Sequence, residues 1–215
     1  MTSCGTRMGM AGGELESTSS MIERPAFTFP REVGSMVKET YAEANSILEY
    51  GSGGSTVLAA ELENKSIYSI ESDKKWADDL QSFLKRSDAV LSMPVIHHVD
   101  VGPTIKWGHP AGTSLHKRFH LYPLEIWDVD DFVHPDTVLI DGRFRVGCFF
   151  ACLLRCTKPM QILFDDYTPR AHYHVVERIT RPVSTLERMA IFEVEPDMIP
   201  RSEFTQVIGS FSDPA

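Results

Sequence analysis

The chain has 215 residues, of which 42% are hydrophobic and 24% charged, and a formal net charge of −9 at pH 7. That length accommodates one domain around one core, and no apolar run approaches the roughly 18 residues that span a bilayer, so no membrane partner and a soluble, cytoplasmic protein are expected. The acidic balance disfavours nucleic acid, whose phosphates are held by Lys and Arg, and makes a small-molecule substrate the expected partner.

Residues 1–22 are rich in Gly, Ser and Thr, lack the apolar stretch of a signal peptide, and read as a disordered tail ahead of a domain at 23–215. Val33, Met36, Val37 and Tyr41 recur at helical spacing, which predicts a helix over 31–45. The apolar strand Ser46 to Tyr50 then runs into Gly51-Ser52-Gly53-Gly54-Ser55. A turn this rich in glycine lets backbone N–H groups and the start of the next helix approach a ligand, because no side chain stands in the way. A helix over 56–62, a strand over 66–70 leading to Glu71, a helix over 74–85 and a strand over 95–98 continue the alternation expected of a parallel sheet.

Residues 101–135 hold one short predicted helix, over 123–128, and the aromatics Trp107, Phe119, Tyr122 and Trp127; a connection of that length reads as a lid-like insertion. Beyond it come a strand over 137–141, a helix over 146–156, a strand over 161–164 closed by Asp165-Asp166, and a helix over 171–179. Cys148, Cys152 and Cys156 fall along one side of the second of these helices, a spacing that matches no zinc motif and suits small core side chains in a reducing compartment. Met189–Val194 and Phe204–Phe211 read as two final strands, joined too closely for a crossover helix and therefore antiparallel.

Open parallel sheets bind ligands outside the carboxyl ends of their strands, so Glu49, Glu71, Asp100, Asp141, Asp165 and Asp166 are expected to face one crevice. A carboxylate such as Glu71 can accept hydrogen bonds from both hydroxyls of a ribose. The turn departs from the dinucleotide fingerprint, since Thr56 stands where glycine or alanine would pack helix on strand.

Glu49, Gly51, Gly53 and Ser55 resemble motif I of the class I S-adenosylmethionine-dependent methyltransferases, and the resemblance extends over roughly residues 30–211. It implies a Rossmann-like α/β fold: a mostly parallel seven-stranded sheet with a C-terminal antiparallel hairpin and helices on both faces. It also implies S-adenosyl-L-methionine as cofactor, held by Glu49, Gly51, Ser52, Gly53 and Ser55, with Glu71 on the ribose and Asp100 on the adenine.

The fourth strand ends Asp141-Gly142-Arg143, unlike the Asn/Asp-Pro-Pro-Tyr of base-methylating relatives. With Asp165-Asp166 it resembles the small-molecule O-methyltransferases that use Mg²⁺, which implies Asp141, Asp165 and Asp166 as metal ligands and a hydroxyl oxygen as acceptor. Phe144 stands where those enzymes carry a lysine base. Asp141, His172 and His174 are then left as candidates near the chemistry, and Arg143 as a clamp for an anionic group. Two alternatives stay open: a catalytically inactive binding module, and an NAD-dependent oxidoreductase. The oligomeric state is also open, a homodimer included.

Overall fold

Strand β1 (Ser46–Tyr50) is buried at every position, as a strand covered on both faces must be. It lies near the middle of a seven-stranded sheet of order β3-β2-β1-β6-β7-β9-β8. Here β2 is Ser66–Glu71, β3 Val95–His98, β6 Thr137–Ile140, β7 Met160–Phe164, β8 Ser184–Leu186 and β9 Met189–Val194. The first five strands of that order run parallel, while β9 pairs antiparallel with both β7 and β8. This computed structural model describes Met1 and residues 23–215. All of the expected tail except Met1 lies outside the described residues.

The alternation of side chains along β1 sorts the two layers. Ile47 joins Val33, Val37 and Tyr41 of helix α1 (Arg31–Glu43) on one face, while Leu48 and Tyr50 face helix α5 (Arg145–Arg155) with Phe149, Phe150 and Cys152 on the other. Helices α2 (Gly54–Ala60) and α3 (Lys74–Arg86) share a smaller cluster of Val57, Ala60, Leu80 and Leu84. Cys148, Cys152 and Cys156 are free thiols buried along α5. Among the described residues no helix is long and apolar enough to cross a membrane.

The insertion at 101–135 has two parts. Its start forms a small ribbon, β4 (Thr104–Ile105) against β5 (His109–Pro110), with Trp107 at the tip 76% exposed. Its second half, with helix α4 (Leu121–Leu124), packs into the core, where Tyr50 Oη donates to the Pro123 carbonyl (2.6 Å) and Trp127 Nε1 donates to Tyr50 Oη (2.8 Å).

One expected strand is a helix. Phe204–Ser210 forms α6, and the terminal hairpin is made instead by β8 and β9. Phe204, Val207, Ile208 and Phe211 are spaced i, i+3, i+4 and i+7, which is a helical period. The segment seats on α5 at Gly147, where a Cβ would lie 2.9 Å from the Ser210 carbonyl oxygen. Strand β8 has no sequence signal because Ser-Thr-Leu at a sheet edge is too short and too exposed to carry a period.

Candidate functional site

The chain progresses from β1 to β2 and β3 on one side of the sheet, and from β6 to β7 on the other. The loops leaving β1 and β6 therefore diverge, opening a crevice at their carboxyl ends. A cavity of about 580 Å³ occupies it, with the glycine turn, Glu71 and Trp76 at one end and Asp141, Arg143 and Arg188 at the other. Gly51 sits at φ +101°, and a Cβ there would lie 2.7 Å from Gly142 Cα, so the two loops meet where only glycine fits.

Ser52, Gly53 and Ser55 of the turn line this cavity with Gly51. Glu71 does too, while remaining largely buried: it accepts from the N–H groups of Ser72 (2.7 Å), Asp73 (2.9 Å) and Ser52 (3.3 Å). Burial pushes its carboxyl pKa up, and those backbone donors oppose the shift. Trp76 Nε1 donates to the Ser52 carbonyl at 2.9 Å, pinning the turn from the other side.

Two expected cofactor ligands stand elsewhere. Glu49 points to the α1 face of the sheet, is fully buried, and is absent from the cavity wall. It accepts from Tyr41 Oη (2.7 Å), Ser69 Oγ (3.1 Å) and the Thr56 hydroxyl, while Thr56 Oγ1 in turn accepts from Gly53 N–H at 2.9 Å. Glu49 thus braces the turn from beneath, and Thr56 is the link that a glycine or alanine could not supply. Burial raises the Glu49 pKa against the pull of these hydroxyl donors. Asp100 is also off the wall: it takes an ion pair from Arg118 (2.7 Å) and a bond from Gly102 N–H (3.0 Å). Ser72, Trp107 and Gly108 line the region beside Glu71 instead.

At the other end Asp141, Asp165 and Asp166 do come together, one carboxylate oxygen from each within 4.8 Å of the others. Arginines fill the space between and around them. Arg145, 3% exposed, lies 3.2 Å from Asp141 Oδ1 and 3.5 Å from Asp166 Oδ2. Its guanidinium is held in place by the carbonyls of Asp165 (2.6 Å), Asp141 (2.9 Å) and Gly142 (3.0 Å). Arg188 pairs with Asp165 at 2.8 Å, and Arg170 with Asp166 at 2.7 Å.

Three carboxylates thus face three guanidiniums that cannot give up their protons. Hard carboxylate oxygens are the right donors for Mg²⁺, but here each carboxylate is already paired with a guanidinium, and a divalent ion would sit against fixed positive charge. The residues do not fit a metal. Asp141 lines the cavity with its carboxyl pushed up to about 7, by burial first, against the pull of Arg145, with Asp165 and then Asp166 adding to the rise.

Phe144 is buried, at φ +54°, with its ring centroid 5.2 Å from those of Phe119 and Tyr122, so no amine replaces the missing lysine. The histidines do not replace it either. His172 lines a separate shallow hollow with Val146, Val175 and Gln206, and His174 Nε2 lies 3.1 Å from the Tyr167 carbonyl, away from the cavity wall. The 3₁₀ turns of 171–178 bury Tyr173 under Arg145 and Arg170 and direct its two neighbours outward. Arg145, Arg170, Arg188 and Trp76 are site residues that the sequence reading missed. Arg145, four residues after Asp141, and Arg170, four residues after Asp166, have a local signal; Arg188 and Trp76 have none.

The chain is 41% identical to a methyltransferase-like protein from Silicibacter pomeroyi, over 89% of this chain and 99% of that one, with a TM-score of 0.83. It is similar at 17% identity to an O-methyltransferase from Bacillus cereus in complex with S-adenosylhomocysteine (76% of this chain, 66% of that one, TM-score 0.49). A third likeness, at 12%, is to an S-adenosylmethionine-dependent O-methyltransferase from Thermotoga maritima (80% and 68%, TM-score 0.49). No protein-family model matches the chain, and no curated protein does.

Proposed function

We propose, for a chain that belongs to the class I S-adenosylmethionine-dependent methyltransferase superfamily, that it methylates a hydroxyl oxygen of a small acceptor and does so without a divalent ion. The observation that carries this reading is the single cavity that joins the glycine turn and Glu71 to Asp141 and Arg143. S-adenosylmethionine, when bound, supplies an electrophilic methyl carbon on a sulfonium sulfur.

The cradle suits that ligand. Gly51, with no room for a Cβ, lets the backbone come close, and the Ser52 loop is held by Trp76 and Glu49. Glu71 already accepts three backbone N–H bonds, which leaves about one of its roughly four acceptor sites for a ribose hydroxyl. At the far end Asp141 has a proton affinity suited to a general base near neutrality. Asp141 would take the proton of the acceptor oxygen as that oxygen displaces the thioether from the methyl group of the bound cofactor. Holding oxygen, carbon and sulfur in line can by itself lower such a barrier by about 7 kcal/mol or more.

The buried thiols of α5 support a reducing, cytoplasmic setting. Calorimetric titration with S-adenosylhomocysteine, with NAD as the control, tests the reading: micromolar binding of the first and none of the second is expected. Binding of NAD alone would overturn it in favour of the oxidoreductase. Cofactor binding with no turnover over a broad acceptor panel would leave a binding module.

A further inference from the structure

We infer that the acceptor carries a carboxylate and that Arg143 is the residue that holds it. The inference rests on the methyltransferase reading above and names the substrate class for the same cavity. Arg145, Arg170 and Arg188 each pair with a carboxylate. Arg143 lines the same wall, yet among the described residues no ion pair includes it, and its Nε is buried with no hydrogen-bond partner. Buried polar groups are bonded in the great majority of cases, so an orphaned guanidinium N–H beside a cavity calls for an external acceptor.

Charge favours the same conclusion. Pairing Arg145, Arg170 and Arg188 with Asp141, Asp166 and Asp165 leaves the Arg143 guanidinium as the one positive charge in excess, without a carboxylate partner among the described residues. A carboxylate, with one negative charge, balances that excess; a phosphate monoester would overshoot it. Burial and the neighbouring Arg145 and Arg170 disfavour the Arg143 charge, a penalty that a bound anion relieves. The guanidinium also springs from a fixed backbone: Gly142 abuts Gly51, and Arg143 N–H donates to Tyr122 Oη at 3.4 Å. A planar fork on a rigid loop is suited to bidentate recognition of a carboxylate.

The test follows the Arg143 Nε–H resonance in ¹⁵N-arginine-labelled protein, assigned by its absence from Arg143→Gln, with and without saturating S-adenosylhomocysteine. Benzoate should shift this resonance saturably, while benzamide leaves it unmoved and inorganic phosphate acts more weakly. In Arg143→Gln, benzoate affinity should fall about 10- to 100-fold, as loss of a hydrogen bond to a charged group predicts, with S-adenosylhomocysteine affinity unchanged. No saturable shift with benzoate or acetate, or an equal shift with benzamide, overturns the inference. So does stronger binding of phosphate, which would make the anion a phosphoryl group. A comparable fall in S-adenosylhomocysteine affinity in Arg143→Gln also overturns it, because the guanidinium would then serve the carboxylate of the cofactor. If the wild-type protein bound no S-adenosylhomocysteine at all, the methyltransferase reading would fail, and the benzoate titration would still report on Arg143 separately.

Discussion

At the glycine-turn end of the cavity, the ligand faces glycine backbone and the carboxylate of Glu71, which the N–H groups of Ser52, Ser72 and Asp73 hold in place. At the far end it faces long charged side chains from three separated segments, 141–145, 165–170 and 188, which hold one another in place. The first end is rigid because glycine sterics and short-range hydrogen bonds leave it no alternative. The second is rigid only while its charges stay matched. Substitutions should therefore separate the two ends: changes at the turn alter cofactor affinity, and changes in the cluster alter turnover or stability.

The largest effect is expected from Asp141→Asn. If Asp141 is the base, removing its charge should cut turnover about 10²- to 10⁴-fold, the usual worth of a positioned base, with S-adenosylhomocysteine affinity nearly intact by calorimetry. The pH dependence has a definite sign. A base must be deprotonated to act, and its pKa is pushed up to about 7, so kcat/KM should rise with pH through neutrality and level off above it. A rate already flat at pH 6 would remove Asp141 from the chemistry.

Next is Arg145→Met. Arg145 is 3% exposed and balances Asp141 and Asp166, so its loss leaves buried negative charge uncompensated. Breaking one partner of such a group costs about 3–5 kcal/mol, to be read from urea unfolding. A loss below 1 kcal/mol would mean that the cluster is far better solvated than its burial indicates. Glu71→Gln should be milder for the fold and specific to the other end: S-adenosylhomocysteine affinity lower by about 10- to 100-fold, with turnover at saturating cofactor largely kept.

The same contrast explains what the sequence disclosed. The turn, Glu71 and the strand ends are contiguous or follow from the periodic alternation of strand and helix, so local pattern was enough to place them. Glu49 and Asp100 were misplaced because a carboxylate at a strand end can point to either face or away from the crevice. The β1 alternation sends Glu49 under α1, and Arg118, eighteen residues downstream, holds Asp100 outside. Asp141, Asp165 and Asp166 were correctly grouped, but their partners could not be read. Arg188 reaches Asp165 only through the β8–β9 hairpin, and the segment expected to close that hairpin, 204–211, has a 3.6-residue period and is helical.

The smallest effect distinguishes the two kinds of acid cluster most sharply. Three carboxylates with open coordination positions would make activity collapse on chelation and return with Mg²⁺. Three carboxylates already paired with Arg145, Arg170 and Arg188 should be indifferent to both. EDTA and added Mg²⁺ are therefore expected to change neither turnover nor melting temperature, and metal analysis of the purified protein should find no stoichiometric divalent ion. A rate that depended saturably on Mg²⁺ would require Arg145 to leave its three carbonyl partners before the ion could bind. Such a rearrangement would be visible as loss of its guanidinium hydrogen bonds, and the far end of the cavity would then be a switch between arginine and metal.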